Sequence, residues 1–183
     1  MQNLINDLLT FSRVTTKSKG FEKVSLDAIL TEVLSDLEIT IERTGAEIER
    51  YPLPIIEAEP TQMRQLFQNL ISNAIKFRKD NERPHIRISS TDFQRWAHLT
   101  ATPGDEVVKI VVEDNGIGFE EKYLDRIFNI FQRLEGQKYE GSGVGLAICR
   151  KIAIKHGGDI TARSQPGKGT QFIITLAKKN LQE

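Results

Sequence analysis

Val107-Val108-Lys109-Ile110-Val111-Val112-Glu113-Asp114-Asn115-Gly116-Ile117-Gly118-Phe119 reads as a strand that runs straight into a glycine-punctuated turn. The β-branched run suits a pleated, buried surface. A carboxylate at the strand end, Asp114, can accept a hydrogen bond from the amino group of a purine. Gly116 and Gly118 allow positive φ and a close approach of the backbone to a ligand. Asp-Asn-Gly is also a common turn, so this stretch gains its meaning from what surrounds it.

Just upstream, Pro84 to Ser89 alternates, with Ile86 and Ile88 on one side, as a half-buried strand does. Ahead of it lies a long helix, capped by Thr61 and running to about Lys79. Met63, Leu66, Leu70 and Ala74 share its apolar face, with Phe67 and Ile71 beside them. Asn69, Asn73 and Lys76 fall at i, i+4 and i+7 on a different, narrow stripe that Gln62 and Gln65 extend. Two amides and an ammonium in one line can hold a hydrated cation and an anionic oxygen together; an ordinary solvated helix face would carry the same residues. Downstream, Gly141-Ser142-Gly143-Val144-Gly145-Leu146 opens a helix that ends at His156, before Gly157 and Gly158. Spaced glycines at a helix start leave backbone N–H groups for phosphate oxygens, helped by the helix dipole. No Gly-Lys-Ser/Thr follows, so this is not a Walker A loop, and no strand directly precedes it as a dinucleotide fingerprint requires.

The remaining segments complete the layout. Residues 2 to 16 form an amphipathic helix, with Leu4, Leu8 and Phe11 at helical spacing and a break over Thr15 to Gly20. Nothing obvious in the chain covers that stripe, so it suggests pairing with a helix of a second chain; a helix folded back on the domain is the alternative. Phe21 to Leu26 is extended, and Ser25 or Asp27 caps a helix to about Thr44, stopped by Gly45. Ala46 to Arg50 and Leu53 to Glu57 read as strands or links, Ser90 to Glu106 as a long excursion holding Trp96 and His98, and Tyr123 to Arg133 as short helix. Asp159 to Ser164 and Thr170 to Leu176 are strands joined by a turn at Gln165-Pro166-Gly167. The order predicts a two-layer α/β (α+β) sandwich: a mixed, mainly antiparallel sheet of about five strands, covered on one face by three helices and preceded by an N-terminal helix.

Taken together, the three motifs resemble the histidine kinase catalytic domain, of the superfamily that includes the gyrase, Hsp90 and MutL ATPases. Asn69 to Phe77 resembles its N box, Asp114 to Gly118 its first glycine box, Ile127 to Phe131 its F box, Gly141 to Leu146 its second glycine box and Gly167 to Phe172 its closing strand motif. The resemblance implies the Bergerat-type fold over residues 21–183, and ATP and Mg²⁺ as ligands. It implies that Asn73 ligates Mg²⁺ with Asn69 close by, that Lys76 meets a phosphate, and that Phe77 packs near the adenine. Asp114 would receive the adenine amino group, with Gly116, Ile117, Gly118 and Thr170 around it. Gly141, Ser142, Gly143, Val144, Gly145 and Leu146 would line the phosphates. Gln132 to Glu140 would be a mobile lid, anchored by Phe128 and Phe131, with Arg133 or Lys138 approaching the γ-phosphate.

Residues 1–18 resemble the end of the second helix of the kinase dimerisation domain, which implies a homodimeric parent and a response regulator receiver as partner. His85, His98 and His156 lie on no such helix, so the acceptor histidine is expected upstream of Met1 and the fragment alone should not label itself. The runner-up is an ATP-hydrolysing switch of the gyrase and Hsp90 type, in which a glutamate activates water four residues before the magnesium asparagine. Asn69 stands there, and an amide is no general base near neutral pH. A non-catalytic ATP-binding regulator is the second alternative.

Composition bounds these readings. Lys plus Arg and Asp plus Glu each number 25, which gives no support for a nucleic-acid partner. Cys149 is the only cysteine, so internal disulfides and paired-cysteine metal sites are excluded. The start shows no signal-peptide pattern and no apolar run could span a bilayer, so a cytoplasmic domain is expected, of a parent that is either soluble or membrane-anchored.

Overall fold

The computed structural model describes residues 5, 6, 8, 9, 11, 12, 14, 20–92, 107–132 and 141–179. Arg133, Lys138 and the rest of the expected lid beyond Gln132, together with Trp96 and His98, lie outside them.

The sheet has the order β2-β4-β5-β7-β6, built from β2 Glu47–Arg50, β4 His85–Asp92, β5 Val107–Asp114, β6 Asp159–Gln165 and β7 Gly169–Ala177. Only the β2–β4 pair is parallel. A separate antiparallel ribbon joins β1 Glu22–Ser25 to β3 Ile55–Ala58. One face of the sheet carries α1 Leu26–Asp36, α3 Pro60–Lys76 and α5 Gly145–Lys155, with α3 in the middle and touching both others. Alternation along β5 buries Val108, Ile110 and Val112 against that layer, beside Ile86, Ile88, Phe172, Ile174 and Leu176. The expected two-layer sandwich is the fold found. Two short helices stand outside it, α2 Glu38–Thr44 and α4 Leu124–Ile127, the latter following a 3₁₀ turn at Glu121–Tyr123. No described helix is long and apolar enough to cross a membrane.

Helix ends depart from the sequence reading. The expected single helix to Thr44 is two, broken at Leu37 with φ −93 and ψ 1; the bend lays Leu37 and Ile41 against the core. Ser25 caps the first and Gly45, at φ 65, ends the second. The cap of α3 is Glu59 and not Thr61. Both oxygens of its buried carboxylate accept backbone N–H groups, from Thr61 at 3.0 Å and Gln62 at 3.2 Å, and Pro60 at the first helical position needs no partner.

That cap is tied to α5 through His156. The Glu59 N–H donates to His156 Nε2 at 3.1 Å, while Nδ1 lies 2.8 Å from the Ile152 carbonyl. An accepting Nε2 with a donating Nδ1 is the neutral tautomer. Burial holds this imidazole below its ordinary pKa of 6.5. The unfolded chain therefore binds more protons as the pH falls below that value, and stability is lost in that direction. Between about pH 7 and about pH 5, His156→Gln should lose less of its denaturant midpoint than the parent. Parallel midpoint curves for the two proteins would show that His156 does not carry this dependence.

The N-terminal helical segment was expected to have no cover within the chain. Its last described turn has one. Val14 is buried, Gln62 Nε2 and Lys155 Nζ donate to its carbonyl, and Lys151 Nζ donates to the Phe11 carbonyl while lying 4.1 Å from the Phe11 ring centroid. Among the described residues of the earlier turns, Ile5, Leu8 and Leu9 are exposed.

Candidate active site

Asp114 ends β5 directly opposite Thr170 on β7. Its Oδ1 accepts the Gly116 N–H at 2.8 Å and the Thr170 N–H at 3.3 Å. Burial pushes its pKa up to about 6, against the pull of those two donors. The turn that follows fits closely. A methyl on Gly116 would lie 2.5 Å from the Phe77 carbonyl oxygen, which already accepts the Ile117 N–H at 2.9 Å. Gly118 has φ 63, and a methyl there would lie 2.1 Å from the Gln165 carbonyl oxygen.

The stripe on α3 faces this turn and the glycine loop before α5. Asn69 Nδ2 donates to the Gly145 carbonyl at 3.2 Å. Asn73, one turn on, is half-buried. Lys76 Nζ lies 4.6 Å from the Phe77 ring centroid, and a methyl on Gly141 would approach it to 2.5 Å. Gln62 does not extend the stripe as expected: the end of the N-terminal segment buries it, and its Oε1 has no partner among the described residues.

Val144, the residue before α5, supplies no side-chain cap, and among the described residues no side chain takes the first N–H groups of that helix, which suit an anionic oxygen. Phe128 is buried edge-on to Phe172 at 6.5 Å, under the Arg150 guanidinium at 5.7 Å. Phe131 differs from Phe128 in its surroundings, and the lid that it was expected to anchor lies outside the described residues beyond Gln132. Phe131 is 51% exposed, its backbone holds φ 63, a left-handed value rare for a bulky residue, and its N–H donates to the Gly143 carbonyl at 3.0 Å. Leu146 is half-buried against the core.

The donor set suits a magnesium triphosphate. Amide oxygens are the hard ligands Mg²⁺ takes, and an ammonium with uncapped N–H groups suits phosphate. No group of three or more His, Cys, Asp or Glu side chains among the described residues offers a competing metal site.

Residues 58–180 match the family described as histidine kinase-, DNA gyrase B-, and HSP90-like ATPase. The chain belongs to that family. Cyanobacterial phytochrome A of Nostoc sp. is 44% identical over 177 residues, which are 96% of this chain and 22% of that protein. Sensor histidine kinase WalK of Bacillus subtilis is 31% identical over 190 residues, covering 100% of this chain and 29% of its own. The chain thus spans less than a third of the length of these curated relatives. Full-length ShkA in complex with AMPPNP has a TM-score of 0.74 at 26% identity, covering 96% of this chain and 35% of ShkA. Histidine kinase ThkA in complex with response regulator protein TrrA has a TM-score of 0.70 at 25% identity, covering 97% of this chain and 47% of the other. The chain is a histidine kinase ATP-binding catalytic domain.

Sequence reasoning missed two residues of the candidate site. Asn115 locks the turn: its Oδ1 accepts the His85 N–H at 2.8 Å and its Nδ2 donates to Glu82 and to the Arg83 carbonyl, both at 3.0 Å. Ser164 lies opposite Thr170 on β6, with its Oγ 2.9 Å from Thr170 Oγ1. The turn at Gln165-Pro166-Gly167 was the available signal, since a tight hairpin there sets Ser164 against Thr170.

Proposed function

We propose that this domain binds ATP with Mg²⁺ and that its parent transfers the γ-phosphate to a histidine outside this chain. One arrangement supports the reading: all three motifs converge on α3. The first glycine turn sits on the Phe77 carbonyl, Asn69 bonds the Gly145 carbonyl, and Lys76 lies against Gly141. Asp114 and Thr170 would receive the adenine over Gly116, Ile117 and Gly118, with Phe77 alongside. Asn73, with Asn69 nearby, would hold Mg²⁺, which supplies neutralisation of phosphate charge when bound. Lys76 and the backbone of Gly141 to Leu146 would hold the phosphates, Phe128 would steady the lid at its root, and Arg133 or Lys138 would approach the γ-phosphate.

Transfer then follows from positioning. An imidazole nitrogen of the acceptor forms the new P–N bond as the bond to the bridging oxygen breaks, and that oxygen leaves on ADP with the electron pair. Asn69 favours transfer over hydrolysis, because its amide cannot take a proton from water. Residues 1–18 would be the end of a dimerisation helix and 21–183 the catalytic domain, with a homodimeric parent and a response regulator as the next acceptor. Supplying the upstream segment with its histidine should give acid-labile label from γ-labelled ATP. Steady phosphate release without label would favour the hydrolase reading.

Asp114→Asn should weaken ADP by about 1–3 kcal/mol, because an amide presents a donor where the base needs an acceptor. The pH dependence has a definite sign. With a pKa of about 6, the Asp114 carboxylate gains a proton as the pH falls, and adenine affinity falls with it. Titration of ADP across that range should slope for the parent and be flatter for Asp114→Asn. Equal affinity and equal slope would remove Asp114 from base recognition.

A further inference from the structure

We propose that Ser164 is a positioning residue that turns the Thr170 hydroxyl into an acceptor, so that the site selects a purine with a 6-amino group over one with a 6-oxo group. The inference rests on the assignment of Asp114 to the adenine. Asp114, Thr170 and Ser164 stand side by side on β5, β7 and β6, each directly opposite the next in register. Cross-strand partners project to one face, so the three form a row at the end of the sheet on the side the helices cover.

Proton direction within the row is fixed by counting. Ser164 Oγ has three neighbours at 2.9 Å: the Phe119 N–H, the Gly169 carbonyl oxygen and Thr170 Oγ1. The Phe119 N–H can only donate and the Gly169 carbonyl can only accept. Ser164 owns one proton, and the carbonyl contact requires it. The remaining contact then needs the Thr170 proton, so Thr170 Oγ1 donates to Ser164 Oγ. The opposite choice would spend the serine proton on Thr170 and leave two lone-pair oxygens facing each other at Gly169. In the satisfied arrangement Ser164 donates once and accepts twice. Thr170 Oγ1 keeps only lone pairs for the site, beside a carboxylate.

Thr170 is 8% exposed, so its hydroxyl has little water with which to exchange partners. Two acceptors in one row welcome the amino hydrogens of adenine. They repel the 6-oxygen of hypoxanthine, which would leave a buried acceptor facing acceptors. Without Ser164, the Thr170 hydroxyl can rotate and donate, and a 6-oxo base becomes acceptable.

The measurement is the ratio of ADP to IDP affinity by calorimetry on the full chain. In Ser164→Ala the ratio should fall about tenfold, the factor that one hydrogen bond of about 1.4 kcal/mol commands. In Ser164→Thr, which returns the hydroxyl, it should recover. Thr170→Val leaves the bonds from Ser164 to Gly169 and from Phe119 to Ser164 intact, and it should lower the ratio even if Ser164→Ala fails to fold. Equal weakening of both nucleotides in Ser164→Ala, or an unchanged ratio in Thr170→Val, would overturn the proposal. Asp114→Asn separates the two levels: if it lowers ADP affinity while the Ser164 and Thr170 variants keep the ratio, only this inference fails. If Asp114→Asn changes nothing, the base assignment fails and takes the inference with it.

Discussion

Asn73→Ala should lose magnesium-dependent ATP affinity by more than about 100-fold, beyond the 10–100-fold that follows the loss of even an outer-shell partner. The reason lies in what the rest of the stripe is already doing. Asn69 donates its amide to the Gly145 carbonyl, and Lys76 is a cation held over Phe77. Asn73 stands between them on α3, half-buried, with a carbonyl oxygen of the kind a hard cation prefers. Removing that oxygen leaves no described carboxylate cluster to replace it. Because its side chain is only half-buried and its backbone keeps the bond from the Phe77 N–H at 2.9 Å, the helix itself should persist. ATP titrated with EDTA should bind parent and variant alike, and adding Mg²⁺ should tighten only the parent. A variant that gains as much from Mg²⁺ as the parent would move the metal elsewhere.

The candidate site was legible because its residue sets are each close in sequence. Asn69, Asn73 and Lys76 share a helix stripe, and Asp114 with Gly116 and Gly118 share a turn, so local periodicity brought each set together. The sheet order was not accessible this way. Register between β5, β7 and β6 is a long-range property, and Ser164 could be placed only once Thr170 and Asp114 were seen opposite each other. Helix ends failed for a similar reason. Thr61 is the better cap by residue type, yet Glu59 wins because the His156 ring from α5 fixes its backbone N–H. Gln62 looked like part of a solvated stripe, yet it is buried and donates to the Val14 carbonyl, a contact distant in sequence. The exposure of Phe131 and the bond from its N–H to the Gly143 carbonyl are likewise set by tertiary contacts that its place in the Ile127 to Phe131 motif does not reveal.

The same hairpin gives the largest structural effect expected of a single methyl group. Gly169→Ala should cost on the order of 4 kcal/mol of stability and remove adenine nucleotide binding with it. Gly169 has φ 106, where an L side chain is strained. Its added methyl would lie 1.9 Å from the Asp114 carbonyl oxygen and 2.9 Å from the Asn115 Cα, and neither can rotate aside, because both belong to backbone held in the sheet and turn. Relief requires β7 to draw away from β5 at the one place where Thr170 donates its N–H to Asp114. That movement unfixes the carboxylate and frees the Thr170 hydroxyl together. Gly167, two residues earlier, is the control: it also has positive φ, at 76, but a methyl there would meet nothing within 4 Å. Gly167→Ala should therefore cost about 1–2 kcal/mol of backbone strain and leave ADP affinity near the parent's. Urea midpoints and ADP titrations on the two variants measure the difference. Equal losses would mean that conformational strain alone, and not the contact with Asp114, decides this turn.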